Sequence, residues 1–152
     1  MITFKVHSRQ SISSIVIKDT PYAVISICCD KDEFANLNLH ENHPNCIDIM
    51  RLKFDDITNK DEDCLIREGK QYKLFSREIA EEILSFFYSI KDKVKIILIN
   101  CDAGISRSSA VAASLLKIYK NDDSEIYDSF LYRPNTLVYR TMIDTYNDSL
   151  LK

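Results

Sequence analysis

The residue types best suited to chemistry in this sequence are a cysteine and an arginine six positions apart, Cys101 and Arg107. Gly104 lies midway between them and is one of only two glycines in the chain. An apolar, β-branched run ends at Asn100, and a run rich in alanine begins at Arg107. The pattern therefore predicts a buried strand, a tight loop and a helix in succession.

A loop that leads into a helix can bind a phosphate-sized dianion, because the first N–H groups of a helix lack intrahelical partners. The same groups and Arg107 would stabilise a thiolate on Cys101. A glycine lets the backbone approach a ligand, and an arginine can hold two phosphate oxygens at once. Cys101 is thus the candidate nucleophile. The candidate phosphate-binding residues are Asp102, Ala103, Gly104, Ile105, Ser106 and Arg107.

A phosphate monoester also needs a proton donor for its leaving oxygen, because an alkoxide leaves poorly. Asp55 and Asp56 both follow a predicted strand and are both candidates. Alternation along the strand puts Asp56 on the face of Leu52 and Phe54, and Asp55 on the opposite face. We favour Asp56, and a solvated turn is the alternative interpretation of this pair.

The elements that would position these residues follow from hydrophobic periodicity. Strands are predicted for the runs YAVISIC from Tyr22, IDIMRLKF from Ile47 and VKIILIN from Val94, with ITFKV and SIVIKD near the N-terminus as edge strands. Helices are predicted at Ser76–Lys93, Arg107–Tyr119, Ser124–Phe130 and Leu137–Leu151, and long loops at Asp30–Asn45 and Ile57–Gln71. This alternation indicates an α/β domain over residues 1–152, with three layers and a mostly parallel sheet of four to five strands flanked by helices.

Composition excludes several classes of protein. A net charge of −3 over 152 residues provides no basic field for nucleic acid. The N-terminus has no apolar leader, and the longest aliphatic run is too short to span a bilayer. The five cysteines match no disulfide or zinc spacing. We therefore expect a cytoplasmic protein with free thiols that binds neither membrane nor nucleic acid and uses no metal or cofactor.

The segment NCDAGISRSSAVAASL resembles the active-site loop and helix of the protein tyrosine and dual-specificity phosphatases, in particular small bacterial members with a C-x-AGISRS loop. The resemblance implies a phosphotyrosine phosphatase-like fold. It also implies that Cys101 attacks phosphorus, Arg107 binds the phosphoryl group and Ser108 assists breakdown of the phosphocysteine intermediate. The segment RLKFDDI is similar to the region that carries the general acid, which favours Asp56. YRPNTLVYR is similar to the Pro-Asn segment that supports the loop.

Two positions depart from that family. Asn100 stands where the family usually has a histidine, and Asp102 would disfavour a heavily anionic ligand beside the nucleophile. Our main hypothesis is a monomeric phosphomonoester hydrolase that acts on phosphotyrosine in proteins or peptides, with phosphoserine and phosphothreonine as further substrates. The alternatives are a pseudophosphatase that only binds phosphate, or a phosphatase of phosphoinositides or RNA 5′-phosphates. A plain core cysteine is the non-functional interpretation of Cys101.

Overall fold

A four-stranded, fully parallel sheet forms the centre of the computed structural model, which describes residues 1–58, 61, 69 and 71–151. In chain order the strands are β1 (Thr3–His7), β2 (Tyr22–Cys28), β3 (Cys46–Lys53) and β4 (Ile96–Asn100). Their order across the sheet is β1-β4-β2-β3, and every pairing is parallel. This confirms the predicted α/β class, with four strands.

The run SIVIKD, predicted as an edge strand, is irregular backbone, so this prediction is wrong. Ile17 packs into the core below the sheet, and the side-chain amide of Asn45 donates to the carbonyls of Ile17 and Lys18 at 3.4 and 2.7 Å. Because these carbonyls have a side-chain partner, the segment does not need the hydrogen bonds of a neighbouring strand.

Six helices lie within the described ranges. They are α1 (Arg9–Ile12), α2 (Asn38–Glu41), α3 (Arg77–Ile90), α4 (Arg107–Lys120), α5 (Ser124–Tyr127) and α6 (Thr136–Ser149). The last four confirm the predicted helices, although α5 is shorter than expected. Helix α1 was not predicted, and α2 interrupts the predicted loop at Asp30–Asn45. Most of the predicted loop at Ile57–Gln71 lies outside the described residues.

The helices cover the two faces of the sheet unequally. The three long helices, α3, α4 and α6, pack on one face and form the larger core with Ala23, Ile25 and Ile97. On the other face Tyr22 and Val24 pack against short segments that include α1, in a smaller core. This division gives the predicted three layers, with one layer much thinner than the other.

The parallel strands bring their carboxyl ends to a single edge of the sheet. His7, Cys28, Lys53 and Asn100 are the last residues of the four strands. In open parallel sheets this edge is where ligands bind. None of the helices in the described ranges has the length and apolar character that a transmembrane span requires.

Candidate active site

The segment from Cys101 to Ser106 forms a loop between β4 and α4, and its carbonyl groups are held from outside. Three backbone N–H groups from other segments donate to these carbonyls. Arg9 N donates to Asp102 O at 3.0 Å, Arg133 N to Ile105 O at 3.0 Å and Asn135 N to Ser106 O at 3.1 Å. In a trans peptide the N–H points opposite to the C=O. The N–H groups of Ala103, Ser106 and Arg107 therefore face away from these outer contacts, towards the inside of the loop.

Gly104 is required at the turn of this loop for two reasons. Its φ is +73°, a left-handed conformation that L side chains rarely adopt. A Cβ added there would lie 2.7 Å from the carbonyl carbon of His7 and 2.8 Å from the amide nitrogen of Ser8. The loop thus packs directly on the end of β1, and no side chain fits between them.

Cys101 lies at the base of the loop and is 2% exposed. Its Sγ is 3.0 Å from the hydroxyl of Ser108, in the first turn of α4. Burial raises the pKa of the Cys28, Cys29 and Cys46 thiols above the ordinary value, which keeps those three protonated at neutral pH. The structure therefore brings together the two residues predicted to form and break the phosphocysteine bond.

Arg107 is buried beside the same loop, and the whole residue is only 4% exposed. Its Nη1 donates to Phe54 O at 2.9 Å and contacts Cys29 Sγ at 3.5 Å, and its Nη2 donates to Asp102 Oδ2 at 3.0 Å. Its Nε is buried and has no hydrogen-bond partner among the described residues. Burial alone would lower the pKa of Arg107, but the hydrogen bond that it donates to Asp102 and the nearby Cys29 and Cys101 raise that pKa, so the group stays charged.

The two candidate acids have different surroundings. Asp55 accepts backbone hydrogen bonds from Asp30 N at 3.1 Å and Lys73 N at 2.8 Å, so both of its oxygens join neighbouring chain segments. Asp56 Oδ1 accepts from Ser106 Oγ and from Asn135 Nδ2, each at 2.8 Å. Of the two candidate acids, Asp56 contacts the Cys101 loop, through Ser106, and Asp55 does not.

Solved structures of known phosphatases share this architecture. Human DUSP28 matches 97% of the chain with a TM-score of 0.61, at 10% identity over 94% of its own length. The chain has the fold of the protein tyrosine and dual-specificity phosphatases. PTPMT1 in complex with PI(5)P matches 86% of the chain and 80% of its own length, with a TM-score of 0.54 and 11% identity. A human tyrosine phosphatase-like serine/threonine/tyrosine-interacting protein matches 87% of the chain and 80% of its own length, with a TM-score of 0.51 and 15% identity. No family model and no curated protein sequence matches the chain.

Three residues that were not predicted as site residues contact the loop, Arg107 or Asp56 in this phosphatase fold. Arg9 supports the loop through its backbone N–H, and no local motif marks it. Cys29, which follows the predicted strand YAVISIC, lies just past β2 and contacts Arg107. Asn135 was not among the candidate site residues, although it holds both Asp56 and the loop carbonyl of Ser106. Its signal was the resemblance of the Pro-Asn segment.

Two clefts lie near the loop in this phosphatase fold, one lined by Asp102 itself and the other by Cys29, which contacts Asp102. One, of about 730 Å³, is lined by Cys29, Lys31, Asp32, Asp55, Gly69, Gln71 and Tyr72. The other, of about 520 Å³, is lined by Arg9, Gln10, Ser13, Phe34, Asn36 and Asp102. Ligand atoms of Cys29, Asp32 and Asp102 lie within 4.8 Å of one another, a spacing that could hold a metal ion. The guanidinium of Arg107, which contacts Cys29 and Asp102, opposes a cation there.

Proposed function

We propose that this protein is a cysteine-dependent phosphomonoester hydrolase that acts on phosphotyrosine in proteins or peptides and also accepts phosphoserine and phosphothreonine. The phosphoryl group would occupy the loop between Cys101 and Arg107. Cys101 would be the nucleophile, Asp56 the general acid and Ser108 the residue that assists release of the enzyme thiolate.

One observation carries this proposal. The buried Nε of Arg107 has no partner among the described residues, while the loop N–H groups beside it face inward. A buried N–H donor without an acceptor costs about 1–3 kcal/mol, and a phosphate oxygen would supply that acceptor. Because the charged guanidinium and the amides converge, the favoured ligand is a compact anion with several oxygens.

The reaction would proceed in two steps on these residues. In the first, the thiolate of Cys101 forms an S–P bond while the P–O ester bond breaks, and Asp56 donates its proton to the leaving oxygen. In the second, Asp56 takes a proton from a water molecule that attacks phosphorus, and the S–P bond breaks. The hydroxyl of Ser108, 3.0 Å from Cys101 Sγ, would donate a hydrogen bond to the departing thiolate.

The surroundings of the loop favour an aryl phosphate over a polyanionic lipid. Tyr72 is 43% exposed and lines the cleft beside Cys29, where an aromatic ring of a substrate could pack against it. PTPMT1 has been solved with PI(5)P, but the loop of this chain contains Asp102 and no lysine. A carboxylate next to the nucleophile repels additional phosphate groups, so we rank phosphoinositides and RNA 5′-phosphates below phosphotyrosine.

Asp102 also supports a second candidate function, phosphate binding without turnover. Its carboxylate already holds Nη2 of Arg107 at 3.0 Å, which competes with a phosphate oxygen for that donor. A tyrosine phosphatase-like interacting protein is among the proteins with this fold. Intact Cys101, Arg107 and Ser108 favour the enzyme.

Hydrolysis of p-nitrophenyl phosphate by the purified protein separates the two candidates. We expect turnover that vanadate inhibits and that Cys101→Ser abolishes, whereas Cys46→Ser, a substitution of a half-buried thiol at the opposite end of the sheet, leaves it intact. Phosphotyrosine, phosphoserine and phosphoinositide substrates then rank the specificity. Vanadate or phosphate binding without any hydrolysis by the wild type would support the binding function and overturn the enzyme.

A further inference from the structure

Three buried polar atoms without partners lie in a row beneath the Cys101 loop. They are His7 Nε2, Asn100 Oδ1 and Ser26 Oγ, none of which has a hydrogen-bond partner among the described residues. His7 pairs with Asn100 across β1 and β4, and Ser26 pairs with Asn100 across β2 and β4. Paired residues of adjacent parallel strands project from the same face, so the three side chains are immediate neighbours.

The three atoms are chemically complementary. The carbonyl oxygen of Asn100 has two lone pairs, and the hydroxyl of Ser26 can donate to one of them. His7 Nδ1 lies 2.9 Å from Ser11 Oγ, and when that hydroxyl donates, the proton of the neutral imidazole is on Nε2. His7 Nε2–H is then a donor for the second lone pair, so that one acceptor would satisfy two donors.

Asn100 and His7 both contact the catalytic loop. The side-chain Nδ2 of Asn100 donates to Cys101 O at 3.4 Å, and this bond directs the next N–H, that of Asp102, away from Asn100. The carbonyl group of His7 lies against Gly104, where an added Cβ would be 2.8 Å from its oxygen. The end of β1 therefore supports the loop through both its backbone and the His7 side chain.

We propose that His7 is a positioning residue of the Cys101 loop that acts through Asn100. Its Nε2–H donates to one bridging water molecule, because it makes no direct hydrogen bond to Asn100 Oδ1. That water donates to Asn100 Oδ1 and so fixes the amide that holds the Cys101 carbonyl. The effect on turnover rests on the proposed function, whereas the effect on the reactivity of Cys101 does not.

Two substitutions of His7 distinguish the role of Nε2 from that of Nδ1. The side-chain amide of His7→Gln reaches the position of Nε2 and keeps the donor, whereas that of His7→Asn reaches only the position of Nδ1. The measurement is the rate of alkylation of Cys101 by iodoacetamide, read by mass spectrometry of the peptide that contains it. At about pH 6 we expect the alkylation rate of Cys101 to be about tenfold lower in His7→Asn than in the wild type, because one buried hydrogen bond is lost. The rate in His7→Gln should stay within about twofold of the wild-type rate.

At about pH 9, where thiols ionise without help, the difference should disappear. The same two substitutions at His43, near Tyr22 at the far end of the sheet, serve as matched controls and should have no effect. In an Asn100→Ala background, His7→Asn should cause no further loss. Equal rates for His7→Asn and wild type, equal losses for His7→Asn and His7→Gln, or a loss that persists at about pH 9 would each overturn the proposal.

Nuclear magnetic resonance of the wild type provides a readout that needs no variant to fold. The ring nitrogens of His7 should report the neutral tautomer protonated at Nε2, and protonation at Nδ1 instead would contradict the proposal. Failure to hydrolyse p-nitrophenyl phosphate would overturn only the proposed function. The alkylation ratios and the tautomer would still decide the role of His7.

Discussion

Asp102 Oδ2 accepts a hydrogen bond of 3.0 Å from Arg107 Nη2, within the loop that would bind phosphate. The whole side chain of Asp102 is 38% exposed, whereas the whole side chain of Arg107 is 5% exposed. Arg107 is thereby held in place before any ligand arrives, at the expense of one of its donors. An incoming phosphate must share Nη2 with the Asp102 carboxylate or displace that carboxylate, and both groups are negatively charged. Asp102 therefore preorganises the arginine and also weakens anion binding.

Removal of this carboxylate should strengthen anion binding. We expect Asp102→Ala to lower the inhibition constant for vanadate about tenfold, because a charge next to the bound oxyanion is lost. Asp92→Ala, which removes the same charge from an exposed site ahead of β4, is the control. Steady-state inhibition at constant ionic strength measures the effect. An unchanged constant would mean that Asp102 points away from the bound anion.

The two neighbouring acids should separate catalysis from stability. Asp56→Ala should lower kcat on phenyl phosphate by about 10²–10⁴-fold, the usual contribution of a general acid, with a smaller loss on p-nitrophenyl phosphate, whose leaving group needs less help. Asp55→Ala should mainly lower the free energy of unfolding by about 1–3 kcal/mol, because the N–H groups of Asp30 and Lys73 lose their acceptor. Kinetics on both substrates and urea unfolding measure the two effects, and a larger kcat loss in Asp55→Ala would reverse the assignment.

Local patterns were enough to predict the loop between Cys101 and Arg107 and most helices and strands. The strand before Cys101 and the helix after Arg107 are continuous apolar or alanine-rich runs without a breaker, so period and composition identify them. The contacts of Arg9 and Cys29 with the loop were not predicted, since these residues come from segments that only the parallel topology brings together. Support from the segment of Asn135 was expected only through the family resemblance. Such contacts depend on the order of the strands, which periodicity does not encode.

The error at SIVIKD has a related cause. Its isoleucines alternate as in a strand, but Asn45, far away in the sequence, takes the carbonyls that a strand would pair. Asp55 and Asp56 illustrate the opposite case. Strand alternation predicted different sides for the two acids, and they do contact different partners. Both lie close to the end of β3 at Lys53, so the phase of the strand still applies to them.

The chain's glycines provide a matched test of how closely the loop packs on β1. Gly104 and Gly69 have nearly the same φ, +73° and +68°. An added Cβ at Gly104 overlaps His7, whereas at Gly69 no heavy atom of the described residues lies within 4 Å. Gly69→Ala should cost only the left-handed backbone penalty, about 1–2 kcal/mol. Gly104→Ala should lower the free energy of unfolding by more than Gly69→Ala does, and it should also abolish vanadate binding. Equal losses of the free energy of unfolding in urea would contradict the close packing of the loop on β1.

His7 makes stability depend on pH in a predictable direction. Burial, followed by the charges of Lys5 and His40, lowers the pKa of His7 below its ordinary 6.5. Below pH 6.5 the unfolded chain therefore binds a proton that the folded chain resists. The contribution of neutral His7 to the free energy of unfolding is therefore complete above pH 6.5 and is lost as the pH falls through the folded-state pKa of His7. The free energy of unfolding in urea should fall between about pH 7 and pH 5, above the range where carboxylates titrate. His7→Gln should flatten this slope and His43→Gln should not; the same slope in His7→Gln would assign the titration to another group.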